Sequence, residues 1–378
     1  MKVLTVFGTR PEAIKMAPVV LALKDVYRIT QTVCVTAQHR EMLDHVLGVF
    51  GIKPDIDLDI MKGAQDLYDV TTAVLKKMRG VIKSAEPDVV LVQGDTTTAF
   101  SAALAAFYSK VKVAHVEAGL RTWRTDSPFP EEANRTLITR ISHLHFAPTR
   151  HAAKNLFMEN VPQERVFVTG NTVVDALLMA RDRVREKGWS HWRAKLGPAI
   201  DGPRRIILVT CHRRENFGMG FRNICEALKK IAGSFKDISI VYPVHLNPNV
   251  RGPVTVHIGK CPNIHLIEPL EYEPFVYLMD RSFFIITDSG GIQEEAPTFG
   301  KPVVVMRDTT ERPEALSAGT AVLAGTDPQK IFEVSERLLM DKSFYSAMSR
   351  PHNPFGDGNA AKRIADVLCK EFAVHGIS

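Results

Sequence analysis

Cysteine is scarce: Cys34, Cys211, Cys225, Cys261 and Cys369 are the only five in 378 residues, odd in number, far apart and without a C-x-x-C pair. That usage argues against zinc and for a reducing compartment. Long apolar runs are missing too. No stretch approaches the roughly 18 to 20 apolar residues that cross a bilayer, so no membrane partner is expected. The opening KVLTVFGTR is too short and too soon broken by charge for a secretory leader, which makes a cytoplasmic soluble protein the expectation. No run of Lys or Arg is dense enough for a nucleic-acid track, and a net charge of +6 is mild for this length. Neither a G-x-x-x-x-G-K-[ST] loop nor a G-x-G-x-x-G after the first strand is present, so a P-loop nucleotidase and a nicotinamide site are not indicated. The histidines are scattered singly, without metal-ligand spacing. No internal repeat is visible.

What is present is an ordinary soluble composition, 45% hydrophobic and 24% charged, in a chain long enough for two domains. Short Val- and Ile-rich runs alternate with amphipathic segments from end to end, the pattern of helices covering both faces of a mainly parallel sheet. The strand candidates KVLTVFG, TVCVTAQ, DVVLVQG, VKVAHVE, LHFAP and RVFVTG form one round. RIILVTC, ISIVYPV, IHLIEP, FFIITDS, PVVVM and TAVLAG form a second. An α/β protein with two doubly wound units follows: residues 1–170, then a helical linker over 171–204 ending in a Gly- and Pro-rich connection, then residues 205–357. The tail carries a helix-start signal at Asp357 to Asn359 and predicts a helix over 358–375.

Ligands of open α/β sheets gather at the carboxyl ends of the strands, and this chain places many charges there. GTRPEAIK follows the first strand and offers Arg10 and Lys15, of which Lys15 alone reads as a solvated helix position. QGDTTT places Asp95 where capping of the next helix is its ordinary role. HVEAGLRT puts His115 and Glu117 on one side of the strand's alternation, and a Glu ending an apolar strand needs a partner or a task. In PEEANR, Glu131 and Arg135 are spaced i, i+4, as in a plain surface pair. Taken together, Asp95, Glu117 and Glu131 would converge from neighbouring loops, and clustered carboxylates push their pKa values apart as acid/base work requires.

The second round supplies cations and an anion turn. TCHRREN offers His212, Arg213 and Arg214; RDTTERPE carries Arg307 and Arg312. TDSGGIQEEA reads as a strand-to-helix turn whose Ser289, Gly290 and Gly291 bring N–H groups to an anion. Glu295, four residues beyond Gly291, falls on the same helix face within reach of a ribose, while Glu294 points elsewhere. A nucleotide that keeps its phosphates and carries something reactive is the expected ligand.

FGTRPEAIKMAP, QGDTTT, HVEAGLRT, PEEANR, TGNTVVDAL, HRREN, VYPVHLNP, TDSGGIQEEAP and RDTTERPEA, in this order, closely resemble the bacterial non-hydrolysing UDP-N-acetylglucosamine 2-epimerases. The resemblance runs from residue 1 to the tail HNPFGDGNAAKRI. It implies the GT-B architecture, two Rossmann-like domains with the active site in the cleft between them and the last helix returning to the first domain. It also implies interconversion of UDP-N-acetylglucosamine and UDP-N-acetylmannosamine without any cofactor, by anti-elimination of UDP through 2-acetamidoglucal and re-addition. By the same resemblance, UDP would be held by Arg10, Lys15, His212, Phe275, the Ser289-Gly290-Gly291 turn, Glu295 and Arg312. Asp95, Glu117 and Glu131 would form the acid/base set, with His212 beside them in the catalytic region.

The chain departs from its relatives at two places. Leu270 stands where some carry Gln, so a side-chain contact to uracil passes to backbone groups. Cys211 stands before His212 where Gly is common. Some members are activated by UDP-N-acetylglucosamine at a second site, for which Gln38, His39, Glu41, Met42, Arg213 and His245 are the corresponding residues. Members with strong activation tend to have Gln at the place of Glu41 and an Arg near Ala64. The family is commonly a homodimer, and its product feeds surface polysaccharides such as enterobacterial common antigen or O-antigen.

Overall fold

The structure, a computed structural model, describes residues 1–37, 40–61, 65–201, 204–213, 216–350 and 353–373, with the side chains of Glu41 and Ala373 excepted. The chain divides into two compact units, Met1–Ala176 with Phe355–Ser378, and Leu177–Pro354. Each is a Rossmann-like α/β unit, the pairing of folds that makes the GT-B class.

The first unit is built on seven strands: β1 (Lys2–Phe7), β2 (Thr30–Val35), β3 (Ile56–Asp57), β4 (Val89–Gln93), β5 (Lys112–Val116), β6 (Leu144–Ala147) and β7 (Val166–Val168). They pair in parallel in the order β3-β2-β1-β4-β5-β6-β7. Because helices cover both faces, the central strands are apolar throughout, and every residue of β4 is buried. On one face Leu4, Val6, Val90 and Val92 meet Val74 and Met78 of the helix Leu67–Ala85 and Ala99, Ala102 and Ala103 of the helix Thr97–Tyr108. The short alanine side chains let that helix lie close to the sheet.

Strand β3 has no counterpart among the apolar runs of the sequence. Two residues carry no readable alternation, and β3 exists because the free edge of β2 pairs Cys34 with Ile56 and Val35 with Asp57. The tail forms a helix, Ala360–Ala373, that belongs to the first unit. Its start is capped from afar: the carboxylate of buried Asp175 accepts from the N–H groups of Ala360 (3.3 Å) and Ala361 (2.9 Å). Arg363 adds a bond to the Thr169 carbonyl at 3.0 Å. The helical stretch Thr172–Leu196 is interrupted at Gly188, whose φ of 74° is a left-handed backbone that glycine accepts without strain.

The second unit has six strands: β8 (Arg205–Thr210), β9 (Ile238–Pro243), β10 (Ile264–Ile267), β11 (Ser282–Thr287), β12 (Val303–Val305) and β13 (Ala321–Leu323). Their order is β10-β9-β8-β11-β12-β13, again all parallel. Ile207, Val209, Ile240, Tyr242, Phe284 and Ile286 fill its core with Phe221, Leu228 and Ile231 of the helix Met219–Ser234. In both sheets the winding reverses between two adjacent strands, β1 and β4 in the first and β8 and β11 in the second. The carboxyl ends of those pairs are the expected ligand positions.

Candidate active site

At the reversal point of the first sheet the chain turns sharply at Gly8. A Cβ there would lie 1.9 Å from Thr36 Oγ1 and 2.9 Å from Thr98 Oγ1, so only glycine fits. Thr9 caps the helix Arg10–Lys24 in a capping box with Glu12. Glu12 is buried, and burial raises its pKa against the hydrogen bonds that lower it. Its Oε2 accepts from the N–H groups of Gly8 (3.1 Å) and Thr9 (2.7 Å), and its Oε1 from Thr96 Oγ1 (2.6 Å). This carboxylate ties the turn after β1 to the turn after β4. Arg10 stands half-buried at the first helical position, with no carboxylate paired to it among the described residues.

Lys15 is not a solvated position. Its Nζ lies 2.5 Å from Glu117 Oε1, and the two side chains are only 17% and 5% exposed. Asn171 Nδ2 donates to the same oxygen at 3.0 Å, and Gln93 Nε2 donates to Oε2. Strand β5 ends at Val116, and Glu117 takes a left-handed φ of 63°, so the strand's alternation does not set its direction. His115 shows the difference: it is fully buried, its Nε2 bonds the Gly94 carbonyl at 2.7 Å, and burial lowers its pKa to about 4.

Asp95 is not the helix cap. Thr96 takes that place, accepting from Ala99 N, which leaves the Asp95 carboxylate for other partners. Arg135 Nη2 lies 3.0 Å from Asp95 Oδ2, and Asn134 Nδ2 holds the Asp95 carbonyl at 2.9 Å. Burial raises the Asp95 pKa; Arg135 and Lys15 counteract it, while the charges of Glu117 and Glu131 add to it. The pair expected between Glu131 and Arg135 is absent. Arg135 turns to Asp95 and, at 3.5 Å, to Glu132, touching only the Glu131 carbonyl. Glu131 starts the helix Glu131–Ile141, half-buried, its carboxylate in no ion pair among the described residues. The structure thus brings Glu117, Glu131, Lys15 and Arg135 into electrostatic reach of Asp95.

At the reversal point of the second sheet the Thr210 and Thr287 hydroxyls meet at 2.6 Å, and Thr287 Oγ1 accepts from Ser289 N at 2.9 Å. Ser289 precedes the short helix Gly290–Glu295. Arg213 Nη2 lies 3.9 Å from where a Gly290 Cβ would stand, which places the guanidinium beside the start of this helix. The His212 ring lies 6.0 Å from that of His245 in a stacked arrangement. Burial lowers the His212 pKa, as do Arg213 and His245, while Asp288 raises it. Glu294 is buried and ion-paired to Arg312, so the Arg312 guanidinium is held from below. Glu295, Phe275 of the helix Tyr272–Arg281 and Leu270 just before that helix are half-buried in the same unit.

Gln38 and His39 lie outside the described residues, as does the side chain of Glu41; Met42 is exposed on the helix Arg40–Phe50. A cavity of about 480 Å³ in the second unit, lined by Asn223, Arg307, Asp308, Thr326 and Lys330, holds Arg307 of the expected cations but neither Arg312 nor the anion turn. Sequence reasoning missed Gln93, Asn171 and Asp288. Asp288 had a signal, since an acid ending an apolar strand is the grammar that singled out Glu117; the two amides had none.

Among the described residues no group of His, Cys, Asp and Glu could hold a metal ion, and no helix is long and apolar enough to cross a membrane. The family model for UDP-N-acetylglucosamine 2-epimerase matches residues 21–369. A UDP-N-acetylglucosamine 2-epimerase of Escherichia coli K12 is 57% identical over 97% of this chain and 98% of its own. The Neisseria meningitidis UDP-GlcNAc 2-epimerase, solved bound to UDP-GlcNAc, superposes with a TM-score of 0.92 at 52% identity, covering 98% of this chain and all of that one (100%). S. aureus MnaA, solved with UDP, gives a TM-score of 0.89 at 43% identity over 100% of this chain and 98% of its own. With the family model matching most of the chain and relatives matched over nearly their whole length, the chain belongs to the non-hydrolysing UDP-N-acetylglucosamine 2-epimerase family and is an isomerase.

Proposed function

We propose that the protein interconverts UDP-N-acetylglucosamine and UDP-N-acetylmannosamine by anti-elimination and re-addition of UDP. The C2 proton has no neighbouring carbonyl to acidify it, so the bond that yields is C1 to the phosphate oxygen. UDP leaves with that electron pair, C1 gains oxocarbenium character, and loss of the C2 proton to a base forms the C1=C2 bond of 2-acetamidoglucal. Return of UDP to C1 with protonation of C2 from the other face gives the epimer. Two faces need at least two proton-handling groups.

The observation that carries this reading is the Lys15–Glu117–Gln93–Asn171 cluster beside Asp95. Glu117 is held by three donors, whereas Asp95 has its pKa raised by burial; environments that differ this way suit two different proton tasks. Glu131 completes the set as the third acid. Arg10, Lys15, His212, the Ser289-Gly290-Gly291 turn and Arg312 bind the diphosphate, where fixed donors stabilise charge that develops as the C1–O bond breaks. Glu295 takes the ribose, and Phe275 with the backbone near Leu270 takes uracil.

The proposed setting is a homodimer in the cytoplasm supplying activated N-acetylmannosamine for a surface polysaccharide such as enterobacterial common antigen or O-antigen. Free cysteines throughout suit a reducing compartment. Substrate activation through Gln38, His39, Glu41, Met42, Arg213 and His245 belongs to the same reading, and rates strictly hyperbolic in substrate would remove it.

Incubation with UDP-N-acetylglucosamine in D2O tests the reaction. Deuterium at C2 of both epimers is expected. Its absence, with sugar passed to an acceptor, would instead mark a glycosyltransferase, and free N-acetylmannosamine as the main early product would mark a hydrolysing enzyme.

A further inference from the structure

Asp288 directly follows β11, fully buried. Its Oδ2 accepts four donors: His212 N (2.9 Å), Arg213 N (2.8 Å), Asn216 Nδ2 (3.1 Å) and Cys211 Sγ (3.0 Å). Its Oδ1 makes no hydrogen bond among the described residues. A buried acceptor left empty beside one that is crowded needs a physical reason. The His212 imidazole stands beside it, with Nδ1 at 3.5 Å from Oδ1. A shift of roughly half an ångström would bring that pair to hydrogen-bond length. Around the imidazole, Arg213 and His245 oppose a positive charge and Asp288 favours one.

We propose that Asp288 is a positioning residue: Oδ2 fixes the backbone of His212 and Arg213 and the Cys211 thiol, and Oδ1 orients the His212 imidazole with Nδ1–H inward, so that Nε2 faces the departing diphosphate and donates to it once the ring takes a proton from solvent. This rests on His212 acting at the diphosphate in the proposed reaction. The two oxygens divide the labour, one setting where His212 stands and the other which nitrogen it offers. A carboxylate that fixes a histidine tautomer from behind is a general device for directing the opposite ring nitrogen. Cys211 is a local addition to it, since a glycine there would supply no thiol donor. Asn216 Nδ2, at 3.7 Å from Cys211 Sγ, braces that thiol.

The test combines two measurements on the full chain. Nitrogen-15 NMR of histidine-labelled protein is expected to show neutral His212 as the Nδ1–H tautomer, and D288N to shift it toward Nε2–H. A cycle with D288N, H212N and the double variant then reads UDP affinity by calorimetry and, where turnover exists, kcat/KM. D288N alone should cost about 10- to 100-fold, and under threefold once His212 is already replaced. An Nε2–H tautomer in the unaltered protein, or losses that add in full, overturns the proposal. Should D288N fail to fold, the tautomer of the unaltered protein decides. Absence of epimerisation would remove the activity reading, while tautomer and UDP affinity still judge this one.

Discussion

Lys15 Nζ and Glu117 Oε1 stand 2.5 Å apart, joined across 102 residues of sequence and almost shielded from water. Each compensates for the other's burial. Removing one charge leaves the second uncompensated, which costs about 3–5 kcal/mol for a buried pair. E117Q keeps the shape and takes from Lys15 the charge it meets at 2.5 Å, so thermal unfolding should shift down. C2 deuterium exchange should fall by at least about 100-fold, the low end of a general-base contribution. If exchange survives unchanged, Glu117 is structural only.

Asp95 makes a contrasting prediction. Burial raises its pKa, so ionising it opposes folding, and an amide in its place relieves that cost. A folded-state pKa above the unfolded one means the stabilising protonated form is present at low pH and lost as pH rises through the folded value. D95N also removes the partner that Arg135 holds at 3.0 Å, although Arg135 keeps Glu132 at 3.5 Å, so stability at neutral pH should change little while turnover falls by about 100-fold or more. Melting curves beside a D2O assay separate the two; a stable, active D95N would refute its proton role.

Arg312 and Glu294 test the second unit. Glu294 is buried and holds the Arg312 guanidinium, so E294Q should loosen that cation without touching UDP itself. About tenfold weaker UDP binding by calorimetry is expected, roughly 1.4 kcal/mol. An unchanged dissociation constant would show that Arg312 needs no such support.

His115 and His145 sit side by side on β5 and β6, both buried, with Nδ1 unpaired in each. Burial lowers their pKa values to about 4 and about 3 from 6.5. Because the folded values are depressed, the neutral rings stabilise the fold above 6.5, and that stability is lost as pH falls towards 4 and then 3. At pH 5 each histidine should cost about 2 kcal/mol relative to neutral pH. H145F should reduce the loss between pH 7 and pH 5 in urea titrations; an identical loss would clear His145 of the effect.

Much of the architecture was legible because it is written in near neighbours. Twelve apolar runs correspond to β1, β2 and β4 to β13, since alternation and helical periodicity are local properties of five to fifteen residues. The missing strand, β3, is two residues long and depends on an edge supplied by β2. Candidate site residues were legible where polar groups close an apolar strand, because the sheet must end there and a charge needs a reason to be present.

Pairing was beyond the sequence's reach. Spacing offered Arg135 to Glu131, yet the fold gives it to Asp95; grammar offered Asp95 as a cap, yet Thr96 caps. The tail's own Asp357 signalled a helix start, while Asp175, 185 residues away, accepts from the first N–H. Asp288 reaches back 76 residues to the His212 amide. By itself the sequence determined the two parallel sheets and which strand ends carry charge, through periodicity and turn chemistry. Only the tertiary structure decided which charge meets which, because strands distant in the chain become neighbours in a wound sheet, and a buried carboxylate takes whatever donors that winding delivers.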